Sequence, residues 1–268
     1  MIDRYAELGV RMICTRTIGF NHIDLEQAKK RNIIVTHITY DPCGVAEFTV
    51  MYILMAVRKY KEVYARTVAG DFRLDGNLAG TLRDMSVGIV GAGSIGTEVL
   101  RDLSGFGCKL FYCNRSTREE ADRYAERIDF DELLSRCDII SLHLELNDDT
   151  YHLMDSEAFA KMKDDSIIVN TARGPLIDTE ALIDALDSGK ISCAALDVIE
   201  DEFGLYYNDC RGKDLSDHYL ARFISMPNVM VTHHMAFYYR DAVRGMIYNC
   251  LYGMSKFEKG EEIPLRLV

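Results

Sequence analysis

None of the eight cysteines (14, 43, 108, 113, 137, 193, 210 and 250) has a partner at CxxC spacing. That argues against a thiol redox motif and a cysteine-built metal centre, and scattered free thiols in a reducing cytoplasm are expected instead. No block of Lys or Arg is present either. The chain carries 31 basic and 42 acidic residues, a net charge of −11 and a pI near 5.1. Such a surface repels nucleic acid and anionic membrane, so neither is expected as a partner. The longest apolar stretch, around Val50–Val57, is too short to cross a bilayer. Residues 1–20 show no apolar core followed by a small-residue cleavage site, so no signal peptide is expected. Internal repeats, low-complexity segments and tryptophan are absent, and nothing follows from the last. What remains is ordinary globular composition, 48% hydrophobic and 27% charged over 268 residues, enough for two modest domains.

β-rich runs alternate with amphipathic stretches along most of that length. Strands are expected at Met12–Arg16, Ile33–Thr36, Val87–Val90, Lys109–Cys113, Ile139–Leu144, Ser166–Asn170, Ala194–Ile199 and Val229–Thr232. The helical patterns between them favour a parallel sheet of βαβ units, an α/β fold. Asp178-Thr-Glu-Ala opens a helix with an N-cap residue, and Asp187-Ser-Gly189-Lys closes it with a glycine stop. Val45–Arg66 reads as one long helix whose apolar face is wider than one domain needs, leaving core burial and a subunit contact both open. The glycine-rich segment Gly70–Thr81 breaks the pattern and marks a domain boundary. Residues 81–235 then hold six strands, the number a full dinucleotide fold requires. Residues 1–80 and 236–268, with a last helix at about Tyr238–Lys259, form the second domain.

The most informative motif is Ser86-Val-Gly-Ile-Val-Gly91-Ala-Gly93-Ser94-Ile95-Gly96, in which a β-branched run enters a glycine triplet and a helical pattern follows. In that context Gly91 permits the tight turn, Gly93 admits a pyrophosphate, and Gly96 lets the helix pack on the strand. The helix N-terminus then offers N–H groups to the phosphates. The residue accepting the ribose hydroxyls is expected about twenty positions after the first glycine, and Asn114 stands there. Asn114-Arg115-Ser116 lacks the carboxylate that repels a 2′-phosphate and adds groups to bind one, so NADP(H) is slightly favoured over NAD(H), against a possible opposing charge at Glu145.

A nicotinamide enzyme acting on a 2-keto acid needs a cation for the carboxylate, a proton donor at the keto oxygen and a group to tune that donor. Arg173, just past a strand end in Asn170-Thr171-Ala172-Arg173-Gly-Pro, suits the first role, with a surface turn residue as the bland alternative. His233 or His234, after the last strand, suits the second; a buried structural histidine is the alternative there. Glu200 or Glu202 suits the third. Adjacent histidines raise the question of a metal, but no third ligand stands at a sensible spacing and none is expected.

Spacing leaves those choices open, and a resemblance narrows them. The blocks Thr15–Asp24, Tyr40–Glu47, Gly91–Gly96, Gly105-Phe-Gly107, Asn170–Pro175, Ala195–Glu202 and Thr232–Phe237 resemble the D-isomer-specific 2-hydroxyacid dehydrogenase family over essentially the whole chain. Phe203–Leu215, in place of a proline after the glutamate, is similar to the D-lactate dehydrogenase branch, including the enzymes of vancomycin resistance. The resemblance implies Arg173, Glu202 and His234 as catalytic residues. Thr17, Ile18 and Gly19 would hold the substrate carboxylate through backbone N–H groups, and Tyr40 and Phe237 would line the side-chain pocket. Asp197 would sit near the relay; with Thr171 and Ala172 it joins the expected cofactor-binding residues Gly91, Gly93, Ser94, Ile95, Gly96, Asn114, Arg115 and Ser116. The implied fold is a Rossmann domain plus a shortened flavodoxin-like substrate domain, in a homodimer. The implied activity is reduction of a small 2-keto acid, pyruvate first, to the D-2-hydroxy acid.

Three departures stand out. The family's substrate domain opens with two further βα units, so the strand at Met12–Arg16 is expected to have a bare edge. The usual Thr-Pro-His-Thr reads Thr232-His-His-Met235, and Val-Pro-Leu reads Leu144-Glu145-Leu146. The shortened lobe keeps a second reading in view, a catalytically impaired dinucleotide-binding regulatory or interaction protein, like the co-repressors of this family. Retention of all three catalytic side chains favours the enzyme, and the 203–215 insertion argues against a formate- or phosphite-type dehydrogenase.

Overall fold

The computed structural model describes residues 1–20, 22–216 and 218–268; Asn21, inside the first motif block, lies outside the described residues. It divides into two units, Met1–Asp41 with Phe237–Val268, and Pro42–Ala236.

The smaller unit contains α1 (Ile2–Glu7), β1 (Met12–Cys14), α2 (Leu25–Lys30), β2 (Ile34–Thr36) and the long terminal helix α10 (Arg240–Lys259). β1 and β2 pair in parallel. The other edge of β2 is taken by the C-terminal tail, with His37 N donating to Leu265 O and Leu267 N to Val35 O. β1 has no strand on its second edge among the described residues. Asp24 caps α2 by accepting from Gln27 N, as short polar N-caps do. A small core gathers on Ala28, Ile33 and Val35, and another on Ile38, Ala242 and Met246.

The larger unit holds α3 (Cys43–Val57), α4 (Tyr60–Val68), β3 (Ser86–Val90), α5 (Ser94–Ser104), β4 (Lys109–Cys113), β5 (Glu126–Arg127), α6 (Phe130–Arg136), β6 (Ile139–Leu142), α7 (Ser156–Lys161), β7 (Ser166–Asn170), α8 (Thr179–Asp187), β8 (Ile191–Leu196), α9 (Tyr219–Ser225) and β9 (Val229–Val231). Its seven strands form one parallel sheet ordered β5-β4-β3-β6-β7-β8-β9. Alternate residues enter opposite cores, as strand geometry demands. Val87, Ile89, Tyr112, Ile139 and Val169 meet α3 and α5 on one face; Val90, Phe111, Ile140, Leu142 and Ile168 meet α6–α9 on the other. Both faces are covered, which is why the strands read as continuous apolar runs. Strand order reverses at β3, so β3 and β6 leave a crevice beyond their carboxyl ends, the switch point where such sheets bind ligands.

Several expectations are corrected. The sheet has a seventh strand, because β5 is a two-residue, charged edge strand without an apolar signal. The strand expected to end at Ile199 ends at Leu196, where Asp197 turns the chain. The 45–66 helix is two helices, broken where Lys59 takes φ +50. Beyond the break, the Lys61 ammonium donates to the carbonyls of Ile224 (2.9 Å), Met226 (2.6 Å) and Val229 (2.7 Å), which aims α4 at the end of α9. Val45, Ala46, Val50, Ile53, Ala56 and Val57 of α3 are buried in their own unit, so the wide apolar face is core. The compact unit therefore starts at Pro42, ahead of the boundary expected near residue 80.

Candidate active site

Gly91, at φ +95°, turns the chain from β3 into α5, and a Cβ there would stand 2.8 Å from the carbonyl oxygen of His143. A Cβ on Gly96 would lie 2.0 Å from Gly91 O, so only glycine lets α5 approach the turn this closely. At Gly93 nothing stands within 4 Å of where a Cβ would be. Thr97 N is the first to find a helical acceptor, Gly93 O at 2.9 Å, leaving the N–H groups of Ser94, Ile95 and Gly96 at the mouth of the helix. This open, donor-lined cradle fits a pyrophosphate. Asn114 ties the next loop to it: its Oδ1 accepts from Ala92 N at 3.2 Å and its Nδ2 donates to Ser116 O at 2.8 Å. Arg127 on β5 holds that loop from behind, donating to Asn114 O (2.9 Å) and Arg115 O (3.3 Å), while the Arg115 side chain is exposed. His143, at the end of β6, bonds Ser141 Oγ at 2.9 Å, and desolvation lowers its imidazole to about 4, so it is neutral at physiological pH.

Arg173 follows β7. Asn170, fully buried, accepts from Ala172 N with Oδ1 (3.0 Å) and donates to Arg173 O with Nδ2 (2.8 Å), clamping the turn that presents the guanidinium. Thr171 is buried with its Oγ1 2.8 Å from Thr49 Oγ1 on α3. Arg173 Nη1 donates to Ala172 O at 2.6 Å, and no carboxylate pairs with the rest of the fork among the described residues.

The histidine loop follows β9, and Asp197 organises it. That carboxylate, fully buried, accepts from Thr232 Oγ1 (2.5 Å), Met235 N (2.7 Å) and Ala236 N (2.9 Å), and Asp197 O accepts from His234 N at 2.8 Å. Thr232 donates its only hydroxyl proton to Asp197, so the 2.5 Å contact with Tyr52 Oη is Tyr52 donating to Thr232. Asp197, expected among the cofactor-binding residues, thus has its carboxylate spent inside the protein. His234 sits at φ +59°, a conformation that costs a non-glycine residue about 1–3 kcal/mol and persists where surrounding contacts impose it. This is the turn that the altered Thr-His-His-Met sequence makes.

The His234 ring reaches Glu202 with Nδ1 2.8 Å from Oε1, both side chains mostly buried. An ionised carboxylate only accepts, so Nδ1 carries the proton in this bond and Nε2 lies on the ring's opposite side. His233 is exposed and, among the described residues, meets the Tyr206 ring edge-on, centroids 6.4 Å apart. Glu200 faces elsewhere: Oε1 meets His152 Nε2 at 2.7 Å and Oε2 accepts from Thr179 N at 3.0 Å. Of the two histidines and the two glutamates, His234 and Glu202 make this contact with one another, and Glu200 bonds His152 instead. Tyr207, unsignalled in the sequence, donates its hydroxyl to His234 O at 3.0 Å.

In the smaller unit, Thr17 Oγ1 donates to Gly19 O at 2.6 Å, and Ile18, Tyr40 and Phe237 pack around Ile38, Ala242 and Met246. Among the described residues no three His, Cys, Asp or Glu side chains are grouped to hold a metal, and no helix is long and apolar enough to cross a membrane.

Residues 50–236 match the NAD-binding domain of the D-isomer-specific 2-hydroxyacid dehydrogenases. The chain belongs to that family. It is 43% identical over 258 residues to a D-specific alpha-keto acid dehydrogenase of Enterococcus faecium, covering 95% of this chain and 78% of that protein. It is 40% identical over 259 residues to an aromatic 2-oxoacid reductase of Clostridium sporogenes, covering 96% of this chain and 78% of the relative. Among solved structures, a D-lactate dehydrogenase from Treponema pallidum superposes with a TM-score of 0.90 at 32% identity, over all of this chain and 81% of that one. Family membership establishes a nicotinamide-dinucleotide oxidoreductase of the 2-hydroxyacid class.

Proposed function

We propose that this protein reduces a small 2-keto acid, pyruvate first, to the D-2-hydroxy acid with NAD(P)H. The observation that carries the reading is the 2.8 Å Glu202–His234 bond, made beyond the carboxyl ends of β8 and β9, at the same end of the parallel sheet as Arg173 after the adjacent β7 and the glycine cradle after β3. The nicotinamide, when bound, supplies the hydride. Arg173 grips the substrate carboxylate with the unpaired part of its fork and polarises the adjacent keto group. His234 delivers the proton from Nε2 to the keto oxygen, and Glu202 holds the ring by Nδ1 and offsets the imidazolium charge. Thr17, Ile18 and Gly19 supply backbone donors, with Tyr40 and Phe237 as the pocket wall. Asp197, Thr232 and Tyr52 position the histidine loop. A steady-state assay with pyruvate and an aromatic 2-oxoacid tests the reading: turnover of either supports it, and binding of the dinucleotide without turnover of any 2-keto acid supports the regulatory alternative. The scattered cysteines, none of them in a disulfide among the described residues, suit a cytoplasmic protein.

The cofactor preference proposed is NADP(H) over NAD(H). The Asn114 amide is committed to the Ala92 and Ser116 backbone, no carboxylate stands in its place, and Arg115 is exposed on the loop that Arg127 holds. One charge-assisted bond from Arg115 to a 2′-phosphate is worth about 1.5–3 kcal/mol, a preference of about ten- to a hundredfold. The ratio of kcat/KM for NADPH over NADH is expected above one, and inverted in an Asn114→Asp, Arg115→Ala double variant. A wild-type ratio well below one rejects this preference.

The protein is further proposed to be a homodimer, with the contact narrowed from the 45–66 stretch to α4 and the loop after it. Tyr60, Tyr64 and Val68 form an exposed stripe at helical spacing, continued by Phe72, Leu74 and Leu78, which are 78%, 87% and 91% exposed. Arg66 nonetheless holds that loop in shape through Asp71 Oδ2 (3.0 Å), Asp75 O (2.6 Å) and Arg73 O (3.0 Å), so the apolar groups are presented rather than loose. Sedimentation is expected to give twice the 30.4 kDa chain mass, and a Phe72→Glu, Leu74→Glu variant the single mass. A wild-type monomer at micromolar concentration rejects the proposal.

A further inference from the structure

Beside His234, two buried polar atoms have no hydrogen-bond partner among the described residues: the hydroxyl of Tyr206 and Oε2 of Glu202. One is a donor and the other, on an ionised carboxylate, an acceptor. They stand four residues apart in a turn closed by Leu205 N and Tyr206 N on Glu202 O, at 3.2 and 3.0 Å, which puts both side chains on one face. Tyr206 is only 7% exposed. Burial, with the Glu202 and Asp197 carboxylates next, pushes its hydroxyl well above the ordinary tyrosine range, so it stays a donor.

The other groups around it are already engaged. Asp197 accepts three hydrogen bonds from Thr232, Met235 and Ala236. Tyr52 donates to Thr232, and Tyr207 donates to His234 O. His233 presents its ring edge-on at 6.4 Å. Buried polar groups in folded proteins almost always find partners, and here each orphan is the complement of the other.

We propose that Tyr206 is a positioning residue whose hydroxyl donates to Oε2 of Glu202, after a small side-chain rotation or through one bridging water. The carboxylate is then held from both oxygens, one on Tyr206 and one on His234 Nδ1, and cannot rotate away from the imidazole. Tyr206 touches no substrate; it acts through Glu202, and the kinetic part of the inference rests on the reductase reading above. A contact longer than a direct bond, between a buried donor and acceptor, is where a structural water belongs.

The test has two arms. A crystal structure of the wild-type protein is expected to show Tyr206 Oη within 3.2 Å of Glu202 Oε2, or both on one shared water, at the reach of an ordinary hydrogen bond. That arm needs no activity: a protein inactive on every 2-keto acid overturns the reductase reading, and the hydrogen bond is still decided by the structure. In the kinetic arm, Tyr206→Phe is expected to lower kcat about tenfold, the scale of one charge-assisted hydrogen bond, with KM unchanged. In a Glu202→Ala background the same change is expected to do nothing further, because the carboxylate it holds is gone. A purely structural tyrosine would instead lower thermal stability and act equally in both backgrounds. Tyr206 Oη bonded to a group other than Glu202 or its water, a kcat within twofold of wild type, or equal losses with and without Glu202 overturns the proposal.

Discussion

Exchanging His234 for glutamine is expected to lower kcat/KM for pyruvate reduction by about a hundredfold or more, the loss typical of a deleted general acid. The same exchange at His233 is expected to do far less. The two residues are neighbours of one type, so composition, local charge and loop position are nearly matched between them; what differs is the partner. His234 Nδ1 lies 2.8 Å from Glu202 Oε1, whereas His233 is exposed and touches the Tyr206 ring by its edge. Glutamine can keep a hydrogen bond to Glu202 but cannot carry a proton to the keto oxygen, so the loss should fall on kcat. The backbone demands of the site sharpen the comparison. His234 is held at φ +59° by the contacts of Asp197, and glutamine inherits that constraint, so a melting curve close to wild type is the expected control. Equal losses at the two positions, or a larger one at His233, would reject the assignment.

Much of the fold is legible along the chain because both faces of the parallel sheet are covered, so each strand advertises itself as an apolar run. What escaped has a physical reason each time. β5 is Glu126-Arg127, two charged residues at a sheet edge, where no burial writes a pattern. The break between α3 and α4 has neither glycine nor proline; it is accompanied by an ammonium on Lys61 that reaches three carbonyls more than 160 positions away. The candidate site divides in the same way. The glycine cradle is readable from local chemistry, since Gly91 and Gly96 are the residues that backbone crowding requires. Arg173, Glu202 and His234 came from resemblance, and the two glutamates differ in space by their partners, His234 for Glu202 and His152 for Glu200, the latter a pairing that no spacing rule would have brought together. Nothing in the sequence pointed to Tyr52, Tyr206 or Tyr207 individually as residues of the site. Residues 202–206 form a helical turn in a segment without helical periodicity, so the pairing of Glu202 with Tyr206 exists only in three dimensions.

Arg173→Lys is expected to reduce kcat/KM about ten- to a hundredfold although the charge is preserved, because one of two parallel charge-assisted bonds to the carboxylate is lost. Lysine is a point charge on a flexible stem; it can approach a carboxylate but cannot hold its plane, and the plane is what orients the keto group toward the proton donor. The loss should therefore appear in kcat as well as in KM. Arg173→Ala, which removes the charge too, should be worse than the lysine variant. The local structure makes the experiment readable. The turn at 170–173 is held by the Asn170 side chain acting on Ala172 N and Arg173 O, both backbone groups that any residue at 173 retains. The arginine side chain itself contributes one hydrogen bond, from Nη1 to Ala172 O at 2.6 Å, so its replacement should cost little stability. A folded lysine variant with near-normal kcat/KM would make Arg173 a turn residue and leave the carboxylate to the backbone donors at 17–19. A folded variant with the loss on both constants, deepened in alanine, is what a two-pronged grip on the substrate requires.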